Sequence, residues 1–257
     1  MKNKVFFLTL LILLFISFNY KKYPVIYIIG DSTVKNGNGK GDNGLWGWGD
    51  LLSLYIDTTK LKIKNYARGG RSSRTFIKEG LWQSVYNQLN EGDIVLIQFG
   101  HNDGSPLNTG RERGTLKGIG NDSVKVIMES TGKEEIVYSY GYYMRKYIND
   151  CKIKNATPII ITPVPRNRWT EDGKITHDEY ADWAKEVAIT EKVSYIDLNN
   201  IISEQYEKSG KNIVDSVYFT KIDGTHTSYE GARLNAYYLA KELRKLNEFK
   251  KYKKYLK

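Results

Sequence analysis

Short, almost continuously apolar stretches recur along the chain, and each is followed by small or polar residues. Continuous apolar runs of this length are typical of strands that are buried on both faces of a parallel sheet. They predict five strands, at Val25–Ile29, Leu61–Tyr66, Asp93–Phe99, Pro158–Thr162 and Val193–Asp197.

The segments between these runs have the spacing of amphipathic helices. In the helix predicted before the fourth strand, the apolar residues fall on one face. In the next helix, which ends near Thr190, Thr176 and Glu179 form a capping-box signature at the start. The predicted helices are Trp46–Tyr55, Leu81–Leu89, Glu134–Ala156, Thr176–Thr190, Leu198–Ser209 and Ser228–Leu246. Alternating strands and helices without a Pro-, Gly- or Ser-rich linker predict one doubly wound α/β domain over residues 24–257.

Two polar stretches interrupt this alternation. Residues 35–44 contain a G-x-G-x-x-G string, but it begins too far beyond the first strand for a dinucleotide fingerprint, so a mobile loop over the sheet edge is the better interpretation. Residues 104–133 form a long polar segment that keeps several aliphatic residues, which predicts a partly ordered loop.

The carboxyl ends of the strands concentrate the residues that could carry chemistry. Open α/β sheets bind their ligands at this edge. The polar residues that follow the first four strands are Gly30-Asp31-Ser32-Thr33, the Asn65–Ser73 segment with Gly70, Gly100-His101-Asn102-Asp103, and the Pro163–Trp169 loop.

Ser32 is the first hydroxyl at this edge, and it needs a base to act as a nucleophile. Histidine is suited to that role. Of the three histidines, His226 follows Asp223 by three residues, so one turn could hold both the base and the carboxylate that orients it. His177 is better explained as a surface residue. The alternative for Asp223 and His226 is that they only cap the next helix.

Acyl transfer also needs hydrogen-bond donors for the developing oxyanion. The amides of Ser32 and Gly70 and the side-chain amide of Asn102 are the candidates. The α/β-hydrolase elbow is excluded, since Val34 stands where that motif needs a second glycine.

The N-terminal residues 1–20 form a separate segment. Lys2 and Lys4 precede the apolar run Val5–Phe18, a pattern that predicts a secretory signal and therefore an exported protein, secreted or periplasmic. An uncleaved N-terminal anchor is the alternative, and it would be the only contact with a membrane.

The chain carries a formal net charge of +10, which falls to +8 without this segment. A basic surface favours polyanionic partners, and for an exported protein an acidic polysaccharide is preferred to nucleic acid. The basic tail Lys250–Lys257 is predicted to be a solvated, fraying helix end. Cys151 is the only cysteine, so no internal disulfide or cysteine-based metal cluster can form, and we expect it to pack as a small hydrophobe in a helix.

The four edge motifs, in this order, resemble the blocks of the SGNH (GDSL-type) hydrolases. The segment Thr131–Tyr143 and the loop Thr162–Asn167 look like the rhamnogalacturonan acetylesterase branch, although Tyr138-Ser139 stands where that branch often has histidine followed by threonine. The resemblance implies a flavodoxin-like three-layer sandwich with a five-stranded parallel sheet, and no metal or organic cofactor.

The same resemblance makes Ser32 the nucleophile, His226 the base and Asp223 its orienting acid, with Ser32, Gly70 and Asn102 in the oxyanion hole. The implied activity is removal of O-acetyl groups from plant cell-wall polysaccharide, with pectic rhamnogalacturonan as the leading substrate. We expect the enzyme to be a monomer. The candidate substrate contacts are Asp31, Arg71, Arg74, His101, Arg166 and Arg168. For each arginine, a structural ion pair is the alternative.

Three other functions stay open at this point. One is an SGNH lipase or thioesterase, which would need an apolar channel for the acyl chain. The second is an acetyl xylan esterase. The third is a non-catalytic sugar-binding or nucleotide-binding domain, for which Ser32 would be dispensable.

Overall fold

The computed structural model describes residues 23–36, 41 and 43–257. The predicted export segment and most of the glycine-rich stretch of the 35–44 loop lie outside the described residues, so both predictions stay predictions. The described strands are β1 Val25–Gly30, β2 Lys62–Asn65, β3 Ile94–Gln98, β4 Ser123–Ile127, β5 Glu134–Tyr138, β6 Thr157–Ile161 and β7 Ser194–Ile196.

Five of these strands form one sheet in the order β2-β1-β3-β6-β7. All of its neighbouring pairs are parallel, with Ile28 of β1 opposite Asn65 of β2 on one side and Leu96 of β3 on the other. The predicted five-stranded parallel sheet is thereby confirmed. The residues of β1 after Val25 and all residues of β3 are buried, which explains why their sequences are continuously apolar.

Helices cover both faces of the sheet, which gives three layers. Ile26 and Ile28 face a core cluster that includes Trp48 and Leu239, whereas Tyr27 and Ile29 face a cluster on the other side of the sheet. The helices are α1 Trp48–Leu51, α2 Ser73–Lys78, α3 Leu81–Tyr86, α4 Tyr140–Ile153, α5 Glu179–Thr190, α6 Leu198–Ser209, α7 Lys211–Ile213 and α8 Tyr229–Leu243. Helix α1 continues as a 3₁₀ turn over Leu52–Tyr55, and α7 as a π turn over Val214–Tyr218.

The predicted helix Glu134–Ala156 is wrong in its first part. Residues of β5 instead pair antiparallel with β4 as a hairpin that the sequence did not reveal. Strand β4 is almost entirely exposed, and in β5 Ile136 is 50% exposed whereas Val137 is fully buried, so most of the apolar residues of the hairpin do not mark a buried face. The helix begins at Tyr140, because the Ser139 hydroxyl accepts a hydrogen bond from the Tyr142 amide.

The predicted capping box is also wrong. Helix α5 is capped by Asp178, whose carboxylate accepts from the Tyr180 amide, while the Thr176 amide donates to the Arg168 carbonyl in the preceding loop. A true capping box, formed by Ser72 and Thr75, opens α2, which was not predicted.

The ends of two other predicted helices differ as well. Trp46 lies before α1 in an isolated bridge to Thr227, so that helix is shorter than the predicted 46–55. The basic tail is docked and does not fray: residues Asn247–Tyr255 form a 3₁₀ helix with Phe249 fully buried, and Leu256 bridges to Ile56. Apolar residues between the lysines therefore hold this segment on the domain.

Cys151 is buried in α4, as expected, and burial raises the pKa of its thiol well above the usual range. Within the described ranges, no helix is both long and apolar enough to cross a bilayer.

A chain of buried polar side chains runs from α1 to the turn after β1. Trp48 Nε1 donates to Gln98 Oε1 at 2.8 Å, Gln98 Nε2 donates to Thr33 Oγ1 at 2.7 Å, and the Thr33 hydroxyl donates to the Asp31 carboxylate at 2.8 Å. All four side chains are almost completely buried. Each donor in the chain thus has an acceptor, which avoids the cost of a buried unpaired polar group.

We expect Gln98→Met to lower the free energy of unfolding by about 1–3 kcal/mol, because it leaves the buried indole N–H of Trp48 without an acceptor. Chemical denaturation of both proteins measures the difference. Gln83→Met on the exposed face of α3 is the matched control and should change stability by no more than about 0.5 kcal/mol. Equal stabilities of the Gln98 and Gln83 variants would contradict this role.

Candidate active site

The loops after four parallel strands meet at one cavity of about 810 Å³. Ser32 follows β1, Gly70 follows β2, Asn102 follows β3 and Arg166 follows β6, and all four line this cavity together with His226 from the loop before α8. The expectation that these edge residues converge is therefore met.

The turn after β1 needs glycine at its start. A Cβ atom on Gly30 would lie 2.6 Å from Val34 Cγ2 and 2.7 Å from the Gln98 carbonyl oxygen, so any side chain there would force the turn away from β3. The Asp31 carbonyl accepts from the amides of Val34 and Lys35, which closes the turn and presents Ser32 to the cavity.

Ser32, His226 and Asp223 form a continuous hydrogen-bonded series. The Ser32 hydroxyl lies 2.8 Å from His226 Nε2, and His226 Nδ1 lies 2.8 Å from Asp223 Oδ2. Because a carboxylate only accepts, Nδ1 carries the hydrogen, and neutral His226 then presents a lone pair at Nε2 to the serine hydroxyl. This is the arrangement in which a histidine can remove the serine proton.

The Asp223 carboxylate also builds the turn that holds the histidine. Its Oδ1 accepts from the amides of Thr225 and His226, each at 2.7 Å. Burial acts to raise the pKa of Asp223, but the hydrogen bonds from His226 and Thr225 outweigh it, so the pKa lies below its usual range. The loop after β6 braces the turn, since the Asn167 amide donates to the Gly224 carbonyl at 2.7 Å.

The three residues expected to supply oxyanion donors all line the cavity. Among the described residues, the amides of Ser32 and Gly70 have no hydrogen-bond acceptor, and Gly70 has a φ of +77°, which favours glycine. Asn102 Nδ2 donates to the Arg71 carbonyl at 2.8 Å, which fixes the amide orientation because a carbonyl can accept only from the NH₂ group. The second N–H of that group is free for a ligand.

The side chains of Asp31 and His101, predicted to contact substrate, make contacts within the protein in this structure. The Asp31 side chain is fully buried, and its Oδ1 accepts from the Thr33 amide and hydroxyl. His101 Nε2 donates to the Val164 carbonyl at 2.9 Å, and its Nδ1 faces Asp31 Oδ2 at 3.3 Å in an electrostatic contact without hydrogen-bond alignment. His101 lines the cavity, but both of its ring nitrogens face protein partners.

The charges around Asp31 determine its ionisation. Burial acts to raise the pKa of Asp31, but His101 and the donors of Thr33 outweigh burial, so the pKa lies below its usual range. Asp103, fully buried behind the same loop, differs: burial raises its pKa to about 7, although the Ser73 hydroxyl donates to it at 2.5 Å. The two buried carboxyl groups thus differ, since the pKa of Asp31 is lowered and that of Asp103 is raised.

Arg74 is also not a substrate contact. Its side chain is 2% exposed, its guanidinium donates to the carbonyls of Leu107 and Glu112, and it lies 3.6 Å from Glu135 of the hairpin. The structural alternative thus holds for Arg74, which fastens the long 104–133 segment to α2.

The other three predicted arginines, Arg71, Arg166 and Arg168, are accessible to solvent at the carboxyl edge of the sheet. Arg71 lines the cavity but forms an ion pair with Glu79 at 2.8 Å. Arg166 lines the cavity and also a neighbouring one of about 380 Å³, where Arg168 lies. His177, expected at the surface, is exposed and lies 2.9 Å from the Asp182 carboxylate.

Two further cavity residues, Arg111 and Arg113, were not predicted. They lie in the 104–133 segment, which the sequence showed only as a polar loop. The run Arg111-Glu112-Arg113 was the available signal, but nothing in the sequence places this loop over Ser32. Glu112 turns away and accepts from Ser130, which leaves the two arginines at the cavity.

In the part of the chain that the structure describes, no group of three or more His, Cys, Asp or Glu side chains is arranged to hold a metal ion. The residues present instead supply a hydroxyl, a base with its orienting carboxylate, and a set of N–H donors. These are the parts that acyl transfer through a serine requires.

Comparison with known proteins agrees with this chemistry. Residues 26–239 match the family model for GDSL-like lipase/acylhydrolase. A rhamnogalacturonan acetylesterase from Emericella nidulans is 31% identical over 82% of this chain and 81% of that protein. A probable rhamnogalacturonan acetylesterase from Bacillus subtilis, YesY, is also 31% identical, over 86% of this chain and 93% of that protein.

The crystal structure of the Bacillus subtilis protein YxiM superposes with a TM-score of 0.70 at 26% sequence identity, and the match covers 87% of this chain and 57% of that one. A family match over most of the chain, together with relatives above 30% identity over most of its length, is decisive for membership. The chain therefore belongs to the GDSL-like lipase/acylhydrolase family of SGNH ester hydrolases, on the branch of the proteins named rhamnogalacturonan acetylesterase.

Proposed function

We propose that this ester hydrolase removes O-acetyl groups from plant cell-wall polysaccharide, and that its substrate is pectic rhamnogalacturonan. The observation that carries the proposal is the lining of the cavity at Ser32. None of its described lining residues is aliphatic or has a phenyl, phenol or indole ring. A lipase or long-chain thioesterase needs apolar surface for its acyl chain, whereas a sugar polymer with a small acetyl group suits a polar cavity.

In the proposed mechanism, the Ser32 oxygen attacks the acetyl carbonyl carbon while its proton passes to His226 Nε2. The oxyanion accepts hydrogen bonds from the amides of Ser32 and Gly70 and from the Asn102 side chain. The intermediate then expels the sugar oxygen, which takes the proton from His226. Water, with His226 as base again, hydrolyses the acetyl-serine to acetate and free enzyme.

Two further observations support a pectic substrate. The relatives from Emericella nidulans and Bacillus subtilis are named for rhamnogalacturonan. In addition, the cavity is rich in arginine, with Arg71, Arg111, Arg113 and Arg166 in its lining. Positive charge favours a polymer that carries carboxylates over a neutral one.

We also propose that the enzyme acts outside the cytoplasm, as a monomer. The basic and apolar pattern of the N-terminal segment supports export. An enzyme that acts on plant polymers must reach them outside the cell.

The substrate is tested by measuring the acetate released from acetylated rhamnogalacturonan, acetylated xylan and a long-chain ester. We expect the pectic polymer to be preferred, and Ser32→Ala to lower kcat by about four orders of magnitude or more. Ser84→Ala, at an exposed serine of α3, is the control and should retain activity.

Preference for acetylated xylan would show that xylan, and not rhamnogalacturonan, is the substrate. Preference for the long-chain ester would contradict the proposed polysaccharide acetylesterase activity as a whole. Full activity of Ser32→Ala would favour a non-catalytic role for this serine.

Asn102→Ala should lower kcat about 10²–10³-fold with little change in KM, because the lost N–H is needed most when negative charge develops on the carbonyl oxygen. Steady-state kinetics on a small acetyl ester measures both constants. Asn212→Ala, at an exposed position in α7, is the matched control. A loss confined to KM would show that Asn102 binds the ground state only.

The pH dependence follows from the lowered pKa of Asp223. Its carboxylate is ionised throughout the range in which a histidine base loses its proton, so kcat/KM should rise with pH along a limb of slope about one. A neutral acetyl ester is the substrate for this profile. Asp103→Asn should leave the slope unchanged, since Asp103 contacts Ser73 and not the catalytic residues. A slope near two would mean that a second group must also ionise.

A further inference from the structure

The arginines around the catalytic cavity differ in how their charges are compensated. Arg71 is paired with Glu79. In the part of the chain that the structure describes, Arg113 and Arg166 have no Asp or Glu within ion-pair distance. Both are nonetheless partly buried. A partly desolvated cation without a counter-ion is unfavourable unless something else supplies negative charge.

The two guanidinium groups are held in place by neutral acceptors only. Arg113 Nε donates to the Ser105 hydroxyl at 3.0 Å and its Nη1 donates to the Gly70 carbonyl at 3.2 Å. Arg166 Nη1 donates to the Thr225 hydroxyl at 3.1 Å and its Nη2 to the His101 carbonyl at 2.9 Å. These bonds fix the positions of both groups and leave other N–H donors of each free.

These contacts place both guanidinium groups next to loops that carry catalytic residues. Arg113 touches Gly70, which supplies an oxyanion donor, and Arg166 touches Thr225, the neighbour of His226. Both arginines line the same cavity as Ser32. An anion between them would lie within the reach of a sugar unit whose acetyl group is at the serine, or of its neighbour in the polymer.

The surrounding charges also favour an anion. Burial lowers the pKa of Arg113, and the positive charge of Arg111 lowers it further; burial and Arg168 act in the same way on Arg166. The carboxyl groups of Asp31 and Asp103 act against this on Arg113, and those of Asp178, Asp31 and Asp223 act against it on Arg166. None of them lies within ion-pair distance of either guanidinium, and the oxygens of Asp31 face Thr33 and His101. The cavity thus combines fixed donors with excess positive charge.

We propose that Arg113 and Arg166 form a carboxylate-binding subsite that takes a uronate of the polysaccharide beside the acetylated sugar. This inference rests on the proposed function and extends it, because the subsite would make the enzyme select acidic acetylated polymers over neutral ones. Paired guanidinium donors suit a carboxylate in both geometry and charge. A role confined to bracing the Gly70 and Thr225 loops is the competing explanation.

The test compares acetylated rhamnogalacturonan with the same polymer after chemical reduction of its carboxyl groups to neutral hydroxymethyl groups. For the unmodified enzyme, we expect kcat/KM to be about tenfold or more higher on the acidic polymer, as for loss of a charged hydrogen bond. The preference should shrink as salt is added, because both arginines are within reach of solvent. This comparison needs no variant.

Variants then assign the preference to residues. Arg113→Gln and Arg166→Gln should each bring the ratio of the two kcat/KM values several-fold closer to one, whereas Arg113→Lys should keep most of it. Each ratio compares two polymers on the same protein, so a general loss of activity through the Gly70 loop cancels. Arg233→Gln is the matched control at a surface ion pair with Glu230, and it should keep the ratio of the unmodified enzyme.

The outcomes separate the two proposals. Equal activity on acidic and neutral polymers would overturn the subsite and leave the proposed esterase function intact. Absence of acetate release from both polymers, with activity on a small ester, would overturn the proposed substrate and the subsite with it. An equal loss of preference in Arg113→Lys and Arg113→Gln would show that bracing, and not charge, is what Arg113 supplies.

Discussion

The buried carboxylate of Asp31 is the constraint on which the catalytic edge depends. It lies directly before the nucleophile, is inaccessible to solvent, and stays ionised because Thr33 and His101 compensate its charge. Through Thr33 it is connected to Gln98 and Trp48, and so to β3 and α1. Buried hydrogen bonds therefore connect the turn that carries Ser32 to the sheet and to the first helix.

Much of the fold could be predicted from the sequence, because strands buried on both faces leave an unambiguous apolar pattern. The five sheet strands and the meeting of their carboxyl ends follow from that pattern. The β4–β5 hairpin could not be predicted in this way. Its first strand, β4, is almost entirely exposed, only Val137 of β5 is fully buried, and the residues of β5 merge with the helical spacing of α4, so no clear apolar alternation marks the two strands. The cap of α5 shows the same limit, since Asp178 and Thr176 are both residue types that cap helices, and the path of the preceding loop brings Asp178 to that position.

The catalytic groups were easier to infer than the substrate contacts, for a physical reason. A nucleophile, a base and a carboxylate must be specific residue types in a specific order, whereas an arginine at a sheet edge can equally well bind a ligand or hold a loop. Arg74 is of the second kind, and its guanidinium positions the very segment that brings Arg113 to the cavity. The sequence suggested Arg74 as a ligand contact because the loop that its guanidinium binds has a path that depends on tertiary packing.

The spacing of the catalytic residues also links activity to completion of the fold. Asp223 and His226 are neighbours in one turn, so they come together early and locally, but Ser32 is 194 positions away from His226. Their hydrogen bond exists only when β1 and the loop before α8 are both in place. A chain in which either of these two elements has not yet folded, or has opened, consequently lacks the hydrogen bond that activates the serine.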